Sequence, residues 1–543
     1  MSAVVEPHAP VDEEKVGGAS IATASWTLIS RVTGFARAIV VAAVLGATYL
    51  GNTYQAVNLL PNLAFELLTG SLFASLLVPR LVRRLDLAER RSAEQLAGGF
   101  LGVVMIGALV VTVVTVLAGE LVMRVLSLGV DTPAVAEDQR RVGWLLLVLL
   151  MPQLVLYTIA GTGSAVMNAH GRFALAAAAP ALENLGIIAT LTATAIIFGA
   201  GASLGDVGTP ELLFLGLGTT GSVALHASVQ WWGARRCGTV LVPRAGWREP
   251  EVREIVRLMA PTFGYSSLNA LCWCAAIVVA NSVPGGVVAF ILAMNFLNLP
   301  IAVGSRPVAT AFLPTLSRLF NAGALGAFRD EFVRALGLAL FITVPAAISY
   351  LVLATPLAKA VAVGEMATPH GVHLLTLSLV AVAAGVVGEA AFVVSTYASY
   401  AQRDARAPWR CMVSRTAVTL TVIACASVWA KGDTVVLALG VAISAGNAVG
   451  AWQLIRRVRS TLPAGGQSLA PPLLRTGLAS VIMAGPAYLI AVWVAGFSTP
   501  AVGLAVAGVV AAIIFVVVQR RLRSPELAFF LGGLRSVRRW RAA

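Results

Sequence analysis

Three arginines interrupt long apolar stretches of the sequence, and their chemistry is the first indication of what the chain binds. Arg31 and Arg37 lie six residues apart in one stretch, and Arg306 lies in another. A charged side chain at mid-bilayer costs at least about 2.5–3.5 kcal/mol on insertion scales, so each one needs a partner, a water-filled cavity or a function. The planar guanidinium binds oxygens bidentately and stays protonated, so two or three arginines in one cavity predict an anionic, phosphate-bearing ligand.

Glu66 is the expected partner of Arg31. At 1.5 Å per residue, Arg31 lies roughly 16 Å from the cytoplasmic end of its helix, and Glu66 lies at nearly the same depth on the next, antiparallel helix. We expect these two side chains to pair, which leaves Arg37 freer for an anionic ligand. The alternative for both arginines is a purely structural, buried ion pair.

A polar wall is predicted around Arg306. Asn295 lies eleven residues earlier, three helical turns away on the same face, so both side chains are expected to line one wall of a cavity. The alternative is that Arg306 extends to the cytoplasmic surface. Further polar residues of apolar stretches, open to a ligand-binding or a packing role, are Glu183, Asn184 and Glu389.

The sequence offers nothing that could run a reaction inside the membrane. No pair of in-membrane acids, histidine cluster or metal-ligand spacing is visible, and His226 is expected to be a packing histidine. The five cysteines show no disulfide pattern. We therefore expect a protein that is not an enzyme and has no catalytic residues, no cofactor and no bound metal.

The elements that position these residues are membrane spans. The composition is 58% hydrophobic and only 12% charged over 543 residues, so the bilayer is the solvent. Uncharged runs of about 20 residues recur along the chain, and each is long enough to cross the membrane as a helix. The predicted fold is an all-α polytopic membrane protein with about fourteen transmembrane helices, near 20–46, 52–79, 98–123, 143–168, 175–200, 211–232, 259–281, 286–314, 335–361, 372–400, 412–430, 434–455, 476–496 and 499–519.

Basic residues give these spans an orientation, because Lys and Arg in short loops stay on the cytoplasmic side. A cytoplasmic N-terminus and fourteen spans leave only five of the 39 Lys and Arg residues on the outer side, namely Arg124, Arg140, Arg141, Lys359 and Lys431. We predict that both termini are cytoplasmic. The net charge of +14 follows from this bias and does not indicate nucleic acid.

Two helix ends that lie six predicted spans apart have similar sequences. Ser75-Leu-Leu-Val-Pro79 and Thr310-Ala-Phe-Leu-Pro314 each follow a helix with an earlier Leu-Pro. Because the two motifs are separated by an even number of spans, both have the same orientation in the membrane, as in a parallel repeat. The expected parts are a disordered cytoplasmic N-terminus (1–19), an N-lobe of helices 1–6 (20–232), a cytoplasmic connection (233–258), a C-lobe of helices 7–12 (259–455), helices 13–14 (476–519) and a basic tail (520–543) suited to anionic headgroups.

Several motifs resemble those of the MurJ/MviN family of lipid II flippases. They are Ser30-Arg31-Val-Thr-Gly34-Phe35-Ala-Arg37, Leu60-Pro61-Asn62-Leu63, Phe73 to Pro79, Asn168-Ala-His-Gly-Arg172-Phe173 with Pro180 and Asn184, and Leu313-Pro314-Thr-Leu316-Ser317. The resemblance covers nearly the whole chain in order and spacing, and the first motif is fairly specific.

The resemblance implies the fold of the multidrug/oligosaccharidyl-lipid/polysaccharide exporter superfamily: two six-helix lobes, alternating access, and two extra helices that border a groove for a lipid tail. It implies flipping of an undecaprenyl-diphosphate-linked cell-wall precursor across the bacterial inner membrane, with membrane lipids and cell-wall synthesis proteins as further partners. The family's helix 1 arginines map onto Arg31 and Arg37. The candidate substrate-binding residues are thus Arg31, Arg37, Asn62, Glu66, Asn295 and Arg306.

The chain departs from the family at several charged positions. The acid after the second arginine is Ala38, the acid ahead of helix 2 is Asn52, and the helix 8 arginine is Asn295. We hypothesise that Arg306 compensates for the last change. Three alternatives stay open: a flippase for another polyprenyl-linked glycan, a small-molecule exporter of the same superfamily, and a non-transporting cell-wall scaffold. An exporter of cations would favour acidic cavity residues, so the arginines speak against it.

Overall fold

The fold is a bundle of helices, and the described residues contain no strand. The computed structural model describes residues 13–69, 76–87 and 89–532; residues 1–12 of the predicted N-terminal segment, Phe73 of the predicted motif and residues 533–543 of the predicted tail lie outside them. The helices are α1 Glu13–Leu45, α2 Tyr49–Thr69, α3 Val78–Asp86, α4 Arg90–Leu117, α5 Gly119–Leu126, α6 Pro133–Leu150, α7 Gln153–Ala169, α8 Phe173–Phe198, α9 Thr209–Arg236, α10 Pro250–Ala280, α11 Gly286–Pro300, α12 Arg306–Asn321, α13 Leu325–Val352, α14 Ala354–Val361, α15 Pro369–Ala401, α16 Arg406–Trp429, α17 Thr434–Ser460, α18 Ala470–Ala495 and α19 Pro500–Arg521.

Thirteen helical segments of the described chain are long and apolar enough to cross a membrane. They match the predicted spans one for one, except that the second predicted span, α2, is not among them. This helix has 21 residues, but five polar side chains lower its apolar character: Asn52, Gln55, Asn58, Asn62 and Glu66. It nevertheless packs inside the bundle, against α6, α10 and α11.

Two of the predicted single spans are interrupted. The fourth consists of α6 and α7, which are separated at Met151 and Pro152. The eighth consists of α11 and α12, which are joined by a π-helical turn at Ile301–Ser305. Proline cannot donate a backbone hydrogen bond, so Pro300 and Pro307 on either side of this turn disfavour a continuous α-helix.

Most helices pack against helices of the same half of the chain. In the first half of the chain, α1 packs on α8, α8 on α9, and α7 on α9; in the second half, α15 packs on α17, α16 on α17, and α13 on α15. The two halves meet where α2 contacts α10 and α11 and where α1 contacts α11. The last two helices pack on each other and join the bundle through α13 and α14.

One end of the bundle is sealed by hydrogen bonds between the two halves. The Asn52 side chain is fully buried; its Nδ2 donates to the Val283 carbonyl at 2.7 Å and its Oδ1 accepts from the Val287 backbone at 3.0 Å. Gln139 and Asn281 exchange two further side-chain hydrogen bonds of 3.0 and 2.9 Å. An aspartate at position 52 has no N–H to donate, so the departure from the family pattern has a structural reason here.

The connection between the halves is fastened to α4. The Arg244 backbone donates to the Gly98 carbonyl at 2.9 Å, and a Cβ atom at Gly102 would lie 2.1 Å from the Arg244 carbonyl oxygen. A Cβ atom at Gly246 would lie 2.0 Å from the Gly99 carbonyl oxygen. Residues 242–246, which we call the strap, therefore lie in a groove of α4 that exists because Gly98, Gly99 and Gly102 have no side chains.

Candidate substrate cavity

Helix α1 presents the two predicted arginines to the interior of the bundle and is fastened to α8. The Asn184 amide donates to the Ser30 carbonyl and to the Thr33 hydroxyl, both at 3.2 Å. Gly34 lies in the same turn and faces the Asn184 amide, since a Cβ atom there would be in van der Waals contact with its nitrogen at 3.4 Å. Asn184 therefore positions the turn of α1 that carries Arg31.

The first cavity has a volume of about 490 Å³ and lies between α1, α8 and α11. Its charged lining consists of Arg31 and Arg37 on α1, and uncharged polar side chains come from α1, α8 and α11, namely Thr27, Ser30, Asn184, Asn295 and Asn298. None of the described residues that line it carries a carboxylate. We call this space the arginine cavity; its electrostatic character is positive, and its amides add hydrogen-bond donors.

A second cavity of about 230 Å³ adjoins the first, because Asn298 lines both. Its charged groups are Glu66, Arg306, Glu389 and Arg415. Arg415 and Glu389 form an ion pair with 2.8 Å between Nη1 and Oε2. The signs in this second cavity therefore balance, in contrast to those in the arginine cavity.

The predicted pair between Arg31 and Glu66 is not formed. Arg31 lines the arginine cavity and Glu66 lines the second cavity, and neither makes an ion pair among the described residues. Arg306 is instead within electrostatic range of both side chains. The depth argument placed both groups at one level of the membrane but could not give the direction in which each helix points its side chain.

The predicted common wall of Asn295 and Arg306 is also wrong. Asn295 lines the arginine cavity, whereas Arg306 lines the second one. The π-helical turn Ile301–Ser305 lies between them and holds more residues per turn than an α-helix. It rotates the residues that follow it, so an eleven-residue spacing no longer returns to the same face.

Arg37 has a counter-ion, contrary to the expectation that it is the freer arginine. Its Nη1 lies 3.5 Å from Glu183 Oε1, and the Glu183 side chain is buried. His226 Nδ1 is 2.7 Å from the other carboxylate oxygen, and the Tyr157 hydroxyl donates to Oε1 at 3.1 Å. His226 is buried and hydrogen-bonded, as expected of a packing histidine, but its partner is charged.

Asn62 lines neither cavity. Its side chain is exposed and donates to the Asn58 carbonyl one turn earlier in α2, at 3.3 Å. The structure thus brings together Arg31, Arg37 and Asn295 in one cavity and Glu66 and Arg306 in the other. Asn62 remains a candidate through the resemblance alone.

Arg415 is the functional candidate that sequence reasoning missed. The prediction counted it with the cytoplasmic arginines, but it lies nine residues into α16 and reaches the second cavity. Its guanidinium also lies 5.2 Å from the centre of the Phe392 ring. The signal available in the sequence was its distance from Arg406 and Arg410, which lie nine and five residues nearer the helix start.

The fold is similar to those of solved membrane proteins. It is similar to a multidrug resistance MATE family transporter of the MOP superfamily in an inward-facing conformation, with a TM-score of 0.63, 14% identity and coverage of 81% of this chain and 99% of that one. The similarity to "Lipid II flippase MurJ, inward closed conformation" is greater, with a TM-score of 0.73, 16% identity and coverage of 92% and 99%.

The sequence narrows these similarities to one family. The family profile described as "Lipid II flippase MurJ" matches residues 41–523. A probable lipid II flippase MurJ of Vibrio cholerae is 26% identical over 398 residues, which cover 72% of this chain and 73% of the relative. The lipid II flippase MurJ of Burkholderia cenocepacia is 23% identical and covers 74% and 76%. The chain belongs to the MurJ family of multi-pass bacterial membrane transporters.

Proposed function

We propose that this protein is a flippase that translocates an undecaprenyl-diphosphate-linked cell-wall precursor, lipid II or a close analogue, across the cytoplasmic membrane. Membership of the MurJ family supports the reaction. The observation that carries the proposal for this chain is the arginine cavity, which holds Arg31 and Arg37 without a lining carboxylate.

The arginine cavity suits a diphosphate. Each guanidinium presents a planar fork that binds two phosphate oxygens, and water exclusion inside the bundle strengthens these charged hydrogen bonds. Asn295 and Asn298 add amide donors on the opposite wall. Arg31 and Arg37 bind the diphosphate, the glycan occupies the adjoining second cavity, and the prenyl tail stays in the bilayer. Arg306 at the neighbouring cavity adds positive charge on the same side of the ligand.

Alternating access moves the cargo. The first six predicted spans (20–232) form the N-lobe and the next six (259–455) form the C-lobe, and the ligand binds where the two lobes meet. The last two helices, α18 and α19, border the path of the lipid tail. The contacts of α2 with α10 and α11 and of α1 with α11 support this division. The sealed end around Asn52 then faces the outside, both termini face the cytoplasm, and cell-wall synthesis proteins meet the cytoplasmic loops.

Export of cationic drugs is the competing function that the structural similarity suggests. Such a ligand needs a negative or aromatic site, since opposite charges and π faces attract cations. The arginine cavity is lined by Arg31, which has no ion pair among the described residues, by Arg37, whose counter-ion Glu183 lies outside the lining, and by Phe35 as its aromatic side chain. Its electrostatics therefore favour an anion.

Complementation tests the proposal. A conditional lipid II flippase mutant of a bacterium receives the wild-type gene, Arg31→Ala, Arg37→Ala or Arg306→Ala, with membrane amounts measured in each strain. We expect wild type to rescue growth and both α1 variants to fail, with Arg306→Ala impaired. Arg124→Ala is the matched control, because Arg124 is exposed and its ion-pair partner among the described residues is the exposed Glu120. Well-expressed wild type that does not rescue would redirect the assignment to another polyprenyl-linked glycan.

A further inference from the structure

A buried polar cluster adjoins Arg37 and takes no direct part in holding cargo. It consists of Glu183 and Asn184 on α8, Tyr157 on α7, and His226 and Gln230 on α9; its charged members are Glu183 and, when protonated, His226. Glu183 is the centre, with contacts of 3.5 Å to Arg37, 2.7 Å to His226 and 3.1 Å to Tyr157. Arg37 is the charged side chain that connects this cluster to the arginine cavity, which Asn184 also lines.

The hydrogen bonds of His226 leave room for one more proton. Its Nδ1 faces the Glu183 carboxylate, and its Nε2 lies 3.4 Å from Gln230 Nε2, an amide nitrogen that also donates to the Ala176 carbonyl at 3.0 Å. This arrangement suits an imidazole that carries one proton, on Nδ1, and accepts a hydrogen bond at Nε2. Gln230 Oε1 is buried and has no hydrogen-bond partner among the described residues. Rotation of this amide would offer Oε1 to an N–H at Nε2.

The charge balance of the cluster depends on where Arg37 is. With Arg37 beside Glu183, one positive and one negative charge cancel and a neutral imidazole suffices. When a diphosphate in the arginine cavity draws the Arg37 guanidinium away from Glu183, the carboxylate loses its cation, and a buried carboxylate without a counter-charge is strongly disfavoured. Protonation of His226 makes the net charge of the cluster zero again, and no other side chain has to change its charge.

We propose that Glu183 and His226 form a proton-binding site that is linked to the cargo site through Arg37. A proton from water binds His226 Nε2 as Arg37 moves to the anionic cargo, and it leaves when Arg37 returns to Glu183. Cargo binding and proton uptake are then one coupled event, so a proton gradient can bias transport. This inference rests on the proposed function only in taking the anion to be a prenyl diphosphate.

The groups around the cluster support this assignment to His226. From α1 the charged side chains are Arg31 and Arg37, and from α7 the titratable one is Tyr157; Tyr54 of α2 reaches α9 through a hydrogen bond of 2.9 Å to Thr219. The titratable groups of α6 lie in its first turns, at 137–141, whereas α6 meets α9 near Leu149. Among these residue types, histidine is the one that serves as a proton carrier near neutral pH in proteins.

The first test counts protons on binding. Farnesyl diphosphate, a water-soluble prenyl diphosphate, is titrated into the purified full chain in lipid nanodiscs by calorimetry at one pH in two buffers of different ionisation enthalpy. We expect wild type and the control His170→Asn to take up about one proton per bound molecule. Glu183→Gln and His226→Asn should bind with little proton uptake. Equal uptake in all four proteins would overturn the inference.

The second test needs no cargo. The variant Arg37→Gln removes the cation just as cargo would, and the protonated fraction of histidine is read from the ¹⁵N chemical shifts of protein labelled at its five histidines. His226→Asn assigns the signal. We expect more protonated His226 in Arg37→Gln than in wild type at the same pH; an unchanged fraction would refute the link. If wild type does not bind farnesyl diphosphate, the proposed function fails, and this second test still decides the proton site.

Discussion

At the scale of single residues, the two arginines of α1 are not equivalent. Arg31 faces the arginine cavity without an ion pair among the described residues, whereas Arg37 must leave Glu183 before it can engage a ligand fully. A ligand that binds Arg31 therefore displaces water, whereas a ligand that binds Arg37 takes the place of the Glu183 carboxylate. We therefore expect the two positions to have different roles, with Arg31 contributing affinity for the ligand and Arg37 coupling the ligand to the proposed proton site.

The affinity role predicts a ranking of substitutions at Arg31. Arg31→Lys keeps the charge but loses the planar fork, and Arg31→Ala loses both. Charged hydrogen bonds are worth about 1.5–3 kcal/mol, so the alanine variant should bind farnesyl diphosphate about 10–150-fold more weakly, with lysine in between. Calorimetric titration in nanodiscs gives the ranking. Unchanged affinity in Arg31→Ala would remove this residue from the site.

The residue types of the site were predictable from the sequence, but their partners were not. Charged residues in apolar runs stand out by their transfer cost, which is why Arg31, Arg37 and Arg306 were found. The pairing of Arg37 with Glu183 joins residues 146 positions apart on different helices, and no local pattern encodes which face of α1 meets α8. Arg415 was hidden because a basic residue near a helix start is ordinarily a cytoplasmic anchor.

At the scale of elements, the strap and its glycine groove join the two halves of the chain. Arg244 lies so close to Gly102 that any side chain there would displace the strap from α4. The preceding residues add to the attachment, since the Val240 backbone donates to Glu94 at 3.2 Å and the Trp231 indole donates to the Leu241 carbonyl at 3.2 Å. The segment between the halves is therefore a fixed element and not a free linker.

Filling the groove should destabilise this attachment. Gly102→Val places methyl groups where the Arg244 carbonyl lies, and such overpacking costs about 1–3 kcal/mol. We expect a lower unfolding temperature in detergent and faster proteolysis within residues 238–249. Gly107→Val on the same helix is the matched control, because nothing lies within 4 Å of a Cβ atom there. If both variants behave alike, the groove does not hold the strap.

Helix positions were predictable from hydropathy, but helix interruptions only in part. The prolines at 300 and 307 marked the eighth span as irregular, yet proline alone does not distinguish a kink from a π-helical turn. That distinction moved Arg306 out of the cavity that holds Asn295. The polar helix α2 was predicted as a span because Leu and Val flank its amides, although its composition alone would not place it in a membrane.

At the scale of the whole molecule, the sealed end is what transport has to open. The Asn52 and Gln139–Asn281 hydrogen bonds join the two halves at this end. Gly285 completes the seal: its φ is +75° and its amide donates to the Thr48 carbonyl at 3.2 Å, a backbone conformation that favours glycine. Alternating access requires these contacts to break as cargo leaves.

A reversible cross-link across the seal tests this requirement. Gln139→Cys with Asn281→Cys, in a background without the five native cysteines, should react with a short disulfide-forming bifunctional reagent. We expect lipid II transport in proteoliposomes to be lost after cross-linking and to return after reduction. The single variant Gln139→Cys, treated in the same way, should transport throughout. Full transport by the cross-linked protein would show that this end does not open.

The central claim is tested most directly by reconstituted translocation of lipid II. Fluorescent lipid II is placed in liposomes that contain the purified protein, and its exposure on the opposite leaflet is followed by a membrane-impermeant quencher. The account predicts rapid translocation by wild type and loss of that activity in the double variant Arg31→Ala/Arg37→Ala at equal protein content. Translocation by wild type no faster than in protein-free liposomes, or undiminished translocation by the double variant, would contradict it.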